Sequence, residues 1–307
     1  MLIAVTGGTG FIGRYLLEQH AAAGHRCRAW HRAESRLPTL NPVATERVAW
    51  QVGELGEVEA TRELVTGCDA VVHAALYHPG GGFRGGEGDL LEFASANILG
   101  SLRLIEAARS AGVGRFVFVS TCAVHEKILP DRPLDETHPT TPTSHYGAHK
   151  AAIEQFVHSF GWGQGYEICA LRPTGVYGVA QPAAESKWFK LVQQIVAGQE
   201  VTCQAGGKEV HALDVARAAT LLVDPRQAPA EKIRGEAFNC YDRYVSQYEV
   251  ATIARELCGS ASVIHGSASK AKNEISTTKL GVLGMRFGGV ELLRQTIGEL
   301  IAAVEEG

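Results

Sequence analysis

The chain has 307 residues, a length that accommodates one large α/β domain or two unequal lobes. Apolar residues make up 45% of it and charged residues 20%, which is the mixture of an ordinary globular protein and excludes a disordered or fibrous chain. Because the formal net charge is -4, the basic excess of a phosphate-backbone binder is missing, and we expect no nucleic-acid partner.

Cysteine usage and hydropathy indicate the compartment. The seven cysteines are scattered, and no two of them form a CxxC pair, so we predict neither a metal site nor a redox dithiol. No run approaches the roughly 18 apolar residues of a membrane helix. The first residues lack the basic start and long apolar core of a signal peptide. We therefore expect a cytoplasmic protein with no membrane partner.

Short apolar runs alternate with helical stretches along most of the chain. We predict strands at residues 2–5, 25–30, 47–52, 69–74, 115–120, 166–171 and 236–240, and helices at 11–23, 57–66, 89–111 and 145–160. This alternation predicts an α/β fold with a doubly wound (Rossmann) parallel sheet. Further helices at 186–197, 211–222, 246–258 and 289–304, with few strands, predict a smaller mixed C-terminal substrate lobe.

The predicted domain boundaries follow from this pattern. Residues 1–175 and 211–241 are assigned to the dinucleotide-binding Rossmann domain, and residues 176–210 and 242–307 to the substrate-binding lobe. A loop with six glycines at 77–89 and a loop with four prolines at 129–142 both follow strands. Open α/β sheets bind ligands at that edge, so the glycine loop is either a flexible connection or a cover for the substrate.

Residues 6–13 read TGGTGFIG and stand between the first predicted strand and the first predicted helix. Glycines at these positions permit a tight turn and a close approach of the backbone to a pyrophosphate. The helix that follows offers N–H groups and the positive end of its dipole to the phosphates. The sequence therefore predicts a dinucleotide site formed by Gly7, Thr9, Gly10, Phe11, Ile12 and Gly13.

The end of the second predicted strand distinguishes the two nicotinamide cofactors. An acid there accepts a hydrogen bond from the ribose 2′-hydroxyl of NAD, whereas an arginine pairs with the 2′-phosphate of NADP. Residues 27–32 read CRAWHR, without a carboxylate. We therefore predict NADP in preference to NAD, which stays possible, with contacts from His31, Arg32 and Arg36. The alternative interpretation of Arg32 is a solvated loop charge.

Further motifs follow in order. Residues 69–75 read DAVVHAA, 97–100 NILG, 119–125 VSTCAVH, 146–150 YGAHK, 171–178 LRPTGVYG, 210–216 VHALDVA and 238–239 FN. Together with the glycine turn they resemble the extended short-chain dehydrogenases/reductases, the NAD-dependent epimerase/dehydratase group, over nearly the whole chain. The resemblance implies an enzyme whose cofactor also contacts Ala74, Ala75, Ser120, Lys150 and Pro173.

Three departures from that family's pattern stand out. Residues 53–55 read GEL instead of GDL, so Glu54 and Leu55 are assigned to the adenine end with a longer acid. His125 replaces the tyrosine of a VYG element. Residues 206–209 read GGKE where nucleotide-sugar members carry an arginine for the diphosphate, which weakens the case for a nucleotide-sugar substrate.

The spacing of Tyr146 and Lys150 points to redox chemistry. A tyrosine hydroxyl has a pKa of about 10, and a lysine four residues later on the same helical face favours the phenolate. The resemblance implies that Tyr146 is the general acid/base, that Lys150 lowers its pKa and holds the nicotinamide ribose, and that Thr121 hydrogen-bonds the reacting oxygen. A backbone-satisfied strand-end hydroxyl is the alternative for Thr121.

We therefore predict an NAD(P)-dependent oxidoreductase acting on a carbonyl/alcohol pair of a small-molecule substrate. A nucleotide-sugar epimerase or dehydratase with tightly bound cofactor is one alternative, and a non-catalytic NADP-binding redox sensor is another. His145 and His149 are four residues apart, but without a third ligand we assign them to a solvated or subunit-facing helix surface.

The resemblance also implies a homodimer built on the two long helices. Apolar contacts would come from Ala94, Leu102, Ile105, Ile153 and Phe156, unless these residues face the sheet.

Overall fold

The computed structural model describes residues 1–80 and 85–306. The middle of the predicted glycine-rich loop, residues 81–84, lies outside the described residues. Within the described ranges, none of the helices has both the length and the apolar character needed to cross a membrane.

The strands and helices alternate through the first two thirds of the chain. In chain order the strands are β1 Leu2–Thr6, β2 Arg26–His31, β3 Val48–Val52, β4 Ala70–His73, β5 Arg115–Val119, β6 Glu167–Pro173, β7 Gly175–Tyr177, β8 Val201–Cys203, β9 Gly206–His211, β10 Glu236–Cys240, β11 Arg243–Ser246 and β12 Ile264–Gly266. The helices are α1 Phe11–Ala22, α2 Pro42–Arg47, α3 Val58–Val65, α4 Leu90–Ala94, α5 Gly100–Ser110, α6 His145–His158, α7 Phe189–Val196, α8 Ala212–Val223, α9 Ala230–Ile233, α10 Gln247–Cys258, α11 Thr278–Val282 and α12 Gly289–Glu305.

Seven of the described strands form one parallel sheet in the order β10-β6-β5-β4-β1-β2-β3. The strand order reverses between β1 and β4, because β2 and β3 extend to one side and β5 and β6 to the other. Such a switch point opens a crevice at the carboxyl ends of the strands. The predicted α/β, doubly wound (Rossmann) fold with a smaller mixed sheet is confirmed.

The core of the first compact unit lies between this sheet and the helices α3, α5 and α6. Leu64, Leu104 and Ile153 from those helices pack with Phe116 and Phe118 of β5. Every residue of β5 is buried, as expected for a central strand covered on both faces. Burying one such side chain contributes about 1.5–3 kcal/mol, so β5 is firmly fixed at the middle of the sheet.

The helix predicted at 89–111 is interrupted. A π-helical turn at Ser95–Leu99 separates α4 from α5. The buried Asn97 lies in this turn, where its amide nitrogen donates to the backbone oxygens of Tyr77 and Phe93 and its amide oxygen accepts from the backbone nitrogen of Tyr77. A wide turn of this kind is common at functional sites.

The chain divides into two compact units. The first contains 1–173, 215–240 and 275–285, and the second contains 174–214, 241–274 and 286–307. Residues 275–285, predicted for the substrate lobe, fall in the first unit, whereas residues 174–175, 211–214 and 241, predicted for the Rossmann domain, fall in the second. Ile275 forms a parallel bridge with Leu134, and Lys279 pairs with Glu236, so these residues belong to the first unit.

The second unit has its own small sheets and core. Strands β11, β9 and β7 form a mixed sheet, and β8 pairs with β12 in parallel. Helices α7, α10 and α12 pack together through Ile195, Val250 and Leu293. These five strands have three to six residues, too short for a clear alternation, and none of them was predicted from the sequence.

Candidate functional site

The glycine turn is packed so closely that two of its positions have no room for a side chain. Gly7 has a φ of +75°, and a Cβ there would lie 2.7 Å from the backbone of Ala74. A Cβ on Gly13 would lie 1.9 Å from the carbonyl oxygen of Gly7. Helix α1 begins at Phe11, with no acidic side chain in its first turn and with Gly10 as its N-cap. These features fit a pyrophosphate at the helix N-terminus.

The other predicted cofactor residues lie at the same edge of the parallel sheet. His31 ends β2, Arg32 follows it, Glu54 and Leu55 follow β3, Ala74 and Ala75 follow β4, Ser120 follows β5, and Pro173 ends β6; Thr9, Phe11 and Ile12 belong to the glycine turn and α1, and Arg36 lies in the loop after β2. The carboxyl ends of parallel strands share one edge, so the topology brings these sequence-distant residues to one side of the sheet.

The residues at the β2 end have polar, open surroundings. The guanidinium of Arg32 is exposed, with its Nε 3.4 Å from Glu34. Nδ1 of His31 lies 3.0 Å from the carbonyl oxygen of Arg32. Arg36 and Glu54 are exposed as well. An exposed ion pair contributes about 0–1 kcal/mol, so Glu34 holds the Arg32 side chain only weakly.

Helix α6 presents Tyr146 and Lys150 on successive turns. Its N-cap is Ser144, whose Oγ accepts a hydrogen bond from the backbone nitrogen of Gly147 at 3.1 Å. The carboxylate of Glu126 accepts from the backbone nitrogen of Ser144 at 2.9 Å. These contacts fix the start of α6 and therefore the position of Tyr146 and Lys150 along it.

Thr121, Tyr146 and Lys150 lie near the carboxyl end of β5. The side chains of Thr121 and Tyr146 are hydrogen-bonded. The Thr121 Oγ1 also accepts from the backbone nitrogen of Ala123 at 3.1 Å, so the backbone contact weighed as its alternative exists beside the contact with tyrosine. The Lys150 Nζ donates to the carbonyl oxygen of Val119 at 2.8 Å.

Burial governs the protonation of this group. It lowers the pKa of Lys150 to about 7, and the nearby Glu154 opposes this by raising it. Burial raises the pKa of Tyr146 above its usual value, and the hydrogen bond with Thr121 acts in the opposite direction. A neutral tyrosine hydroxyl is a proton donor, which suits protonation of a carbonyl oxygen.

Two polar networks near the site were missed from sequence. The first joins Ser120, Glu154, Arg172 and His125, and the only sequence signal for it is an acid one helical turn after Lys150. Sequence reasoning assigned Ser120 to the cofactor, whereas its buried hydroxyl donates to Oε1 of Glu154 at 2.5 Å.

The second network ties the glycine turn to α5. The Ser101 hydroxyl donates to the carbonyl oxygen of Asn97, so Nε2–H of His73 donates to the Ser101 Oγ at 2.8 Å. Nδ1 of His73 then accepts from the Thr6 hydroxyl at 2.6 Å, and the Thr6 oxygen accepts from the backbone nitrogen of Ala75. Burial lowers the pKa of His73 to about 3, so this imidazole is neutral and structural.

His149 does not lie on a solvated surface, contrary to the prediction. It is buried against the ring of Phe93, with centroids 5.0 Å apart, and burial lowers its pKa to about 3. Lys150 beside it is also buried, so this part of the surface of α6 faces the protein interior. Among the described residues no three histidine, cysteine or acidic side chains are grouped to hold a metal ion.

The glycine turn follows β1, Thr121 follows β5, and the Lys150 Nζ of α6 reaches the carbonyl oxygen of the last residue of β5, so these features lie at the carboxyl edge of the parallel sheet. The profile of the NAD dependent epimerase/dehydratase family matches residues 3–240. The chain therefore belongs to this family, and the resemblance drawn from its motifs is confirmed.

Its relatives are named as reductases, dehydrogenases and epimerases. It is 34% identical over 181 residues to the 4-hydroxy-2-methyl-3-oxo-4-farnesyl-3,4-dihydroquinoline-1-oxide ketoreductase of Stigmatella aurantiaca, covering 58% of this chain and 51% of that protein. It is 29% identical over 214 residues to a 3-beta-hydroxysteroid dehydrogenase of Mycolicibacterium neoaurum, covering 68% and 55%. The chain thus spans about half the length of these curated relatives.

Solved structures show the same fold. The UDP-glucose 4-epimerase of Thermus thermophilus, in complex with NAD, has a TM-score of 0.74 and 24% identity, with 98% of this chain and 99% of that chain covered. The UDP-glucose 4-epimerase of Thermotoga maritima, with UDP-glucose, has a TM-score of 0.77 and 23% identity, with 100% and 99% covered.

Proposed function

We propose that this chain is an NAD(P)-dependent oxidoreductase that interconverts a carbonyl and an alcohol at Thr121, Tyr146 and Lys150. The observation that carries the proposal is that these three side chains lie near the carboxyl end of β5, where Thr121 is a hydrogen-bond partner of Tyr146 and the Lys150 Nζ donates to the carbonyl oxygen of Val119. The neighbouring glycine turn supplies the fit for a dinucleotide.

The residues divide the chemistry in the following way. The bound nicotinamide supplies or accepts the hydride. Tyr146 gives its proton to the carbonyl oxygen during reduction and takes it back from the alcohol during oxidation. The Thr121 hydroxyl orients that oxygen, and the charged form of Lys150 favours the phenolate. Because the pKa of Lys150 is about 7, both of its protonation states are populated near neutral pH.

The Tyr146→Phe variant tests this assignment. It removes only the hydroxyl group, so we expect turnover to fall by at least about 100-fold, the lower end of the range for general acid–base catalysis. The dissociation constant of the nicotinamide should stay within about 3-fold of the wild-type value, since the glycine turn is untouched. Reduced-nicotinamide absorbance with a panel of ketones, aldehydes and alcohols gives the rates. Wild-type turnover by the variant would refute the assignment.

We propose NADP in preference to NAD as the cofactor. Support comes from Arg32 and Arg36, which are exposed beyond the end of β2 where a 2′-phosphate would lie, and from the absence of an acid at residues 30–32. An arginine pairs bidentately with a phosphate, whereas the 2′-hydroxyl of NAD calls for an acceptor.

For the substrate we propose an uncharged ketone or alcohol. Residues 206–208 hold no arginine, and the Glu209 carboxylate that follows is buried and paired with Lys187 at 2.5 Å. A buried acid there disfavours a diphosphate. The ketoreductase and hydroxysteroid dehydrogenase names among the relatives agree with this choice.

A nucleotide-sugar epimerase or dehydratase is the second candidate. The UDP-glucose 4-epimerase of Rhizobium meliloti, 31% identical over 191 residues and covering 61% of this chain and 56% of that protein, favours it. Such an enzyme converts a nucleotide sugar without net change in nicotinamide absorbance, so incubation with nucleotide sugars and chromatography of the products separates the two candidates. The Thr–Tyr–Lys group argues against a non-catalytic redox sensor.

We further propose a homodimer. Leu91, Leu99 and Phe156 are exposed on α4, the π-helical turn and α6, at 80%, 50% and 40%. Ile105 and Ile153, weighed as dimer contacts from sequence, are instead fully buried in the core of the first unit. Light scattering of the purified protein gives the mass that decides between one and two copies.

A further inference from the structure

We propose that Glu154 and Arg172 are positioning residues whose ion pair holds Thr121, Tyr146 and Lys150 in reacting geometry. This inference rests on the proposed oxidoreductase function. Neither residue is assigned to the reaction, and neither touches the reacting atoms of the scheme above.

The pair is fully enclosed in the first unit. Nη2 of Arg172 donates to Oε2 of Glu154 at 2.6 Å, and its Nε donates to both carboxylate oxygens at 3.0 and 3.1 Å. The two side chains are 2% and 0% exposed. Removing two charges from water offsets most of their attraction, so a buried pair gives little stability beyond that of two apolar side chains. Net stability therefore does not account for this pair.

The pair contacts residues that come before and after Thr121 in the sequence. On one side the Ser120 Oγ donates to Oε1 of Glu154 at 2.5 Å. On the other side Nη1 of Arg172 donates to Nε2 of His125 at 3.0 Å, in the 3₁₀ turn that follows Thr121. His125 in turn donates from Nδ1 to the carbonyl oxygen of Pro139 at 3.2 Å.

The same pair holds the helix that carries the other two residues. Glu154 lies one turn after Lys150 and two turns after Tyr146 on α6, while Arg172 lies near the carboxyl end of β6. Each guanidinium–carboxylate contact therefore ties α6 to β6. A displacement of about 1 Å at a reacting group costs on the order of 100-fold in rate.

A second Arg–Glu pair stands at the other end of β5 and β6; it is less enclosed, because the Glu167 side chain is 28% exposed and also lies 3.9 Å from Arg234. Arg115, the first residue of β5, donates from its Nε to Oε2 of Glu167, the first residue of β6, at 3.0 Å. Arg115 is 3% exposed and also donates to the carbonyl oxygens of Leu222 and Ala228. This pair joins the same two strands far from their carboxyl ends. A variant that breaks it therefore measures the effect of losing an Arg–Glu contact away from the reacting groups.

The test compares Glu154→Gln with Glu167→Gln in the full chain, at a temperature where both are folded by circular dichroism. We expect the first variant to lower kcat by about 10- to 100-fold, with the KM of the carbonyl substrate and the Kd of NADPH within about 3-fold. The second should keep kcat within about 2-fold. Wild-type kcat in Glu154→Gln, or an equal loss in Glu167→Gln, would overturn the proposal.

Ser120→Ala keeps the ion pair and removes only its link to the strand end, so it decides the matter if Glu154→Gln does not fold. We expect its kcat to fall by about 3- to 10-fold with unchanged NADPH affinity, and unchanged kcat would sink the proposal. The Tyr146→Phe result separates the two levels. Loss of turnover there with normal kcat in the Glu154 or Ser120 variant rejects the positioning role alone, whereas turnover by Tyr146→Phe rejects the underlying function.

Discussion

Arg32 offers an exposed guanidinium directly after the last residue of β2, and its Nε lies 3.4 Å from Glu34. Replacing it by alanine removes a partner for the 2′-phosphate but none for the 2′-hydroxyl. We expect Arg32→Ala to weaken NADP binding by about 10-fold or more, since hydrogen bonds to charged groups contribute about 1.5–3 kcal/mol. NAD binding should change by less than about 3-fold. Fluorescence titration of the reduced nucleotides measures both.

Arg26 provides the matched control. It begins β2, is exposed, and stands at the opposite end of the same strand. Arg26→Ala removes the same charge from the same strand but should leave both affinities as they are. Tighter binding of NAD than of NADP by the wild-type chain, or equal weakening of both nucleotides by Arg32→Ala, would reject the NADP preference.

At the scale of elements, the strand–turn–helix unit depends on the close approach of the turn to the start of α1. A Cβ on Gly13 would lie 1.9 Å from the carbonyl oxygen of Gly7, so the turn must open to admit it. We expect Gly13→Ala to weaken dinucleotide binding by more than about 10-fold and to lower the unfolding temperature, because the backbone on both sides of the contact is fixed.

Gly298 in α12 is the helical glycine for comparison, since a Cβ there meets nothing within 4 Å. Gly298→Ala should leave nucleotide binding unchanged and stabilise the protein by about 0.5–1 kcal/mol through helix propensity. Thermal unfolding and nucleotide titration on both variants check the contrast. Wild-type affinity in Gly13→Ala would show that the turn does not hold the pyrophosphate.

For the whole molecule, buried neutral histidines make the fold sensitive to acid. Burial lowers the pKa of His20, His73 and His149 to about 3, and that of His125 to about 4. The unfolded chain takes up these protons below about pH 6.5, whereas the folded chain does so only near the lowered values. Stability is therefore present above pH 6.5 and is lost as the pH falls from there towards 3.

We expect the free energy of unfolding in urea to fall between pH 7 and pH 5, with each buried histidine contributing about 1.4 kcal/mol per pH unit once its unfolded form is protonated. His20→Gln keeps a side-chain donor for Thr220, its partner at 2.9 Å, and removes one such proton. The slope against pH should become shallower by about one proton in this variant. A flat wild-type profile would contradict the expectation.

Local signals in the sequence predicted the parts of the site that a short segment determines. The TGGTGFIG motif follows a strand and precedes a helix, and this local context predicted both a tight turn and a dinucleotide ligand. The spacing of Tyr146 and Lys150 on one helix face had the same local character. Their assigned roles stay predictions until the variants are measured.

Glu154 and Arg172 could not be paired from sequence, because they lie on α6 and β6 and meet only when the helix packs on the sheet. The same is true of Asn97, which contacts Tyr77 from a π-helical turn inside the stretch that sequence periodicity predicts as one helix. The bridge between Leu134 and Ile275, which places 275–285 in the first unit, joins segments more than a hundred residues apart.

The sequence by itself determined the fold class, the dinucleotide turn and the family, because hydrophobic period, glycine spacing and motif order are properties of neighbouring residues. Only the tertiary structure decided what surrounds the reacting side chains. In the folded protein Lys150 and His149 are buried, and the Ser120 hydroxyl donates to Glu154. The ion pair of Glu154 and Arg172 is also buried. Desolvation and long-range hydrogen bonding depend on which elements pack together, and no short segment contains that information.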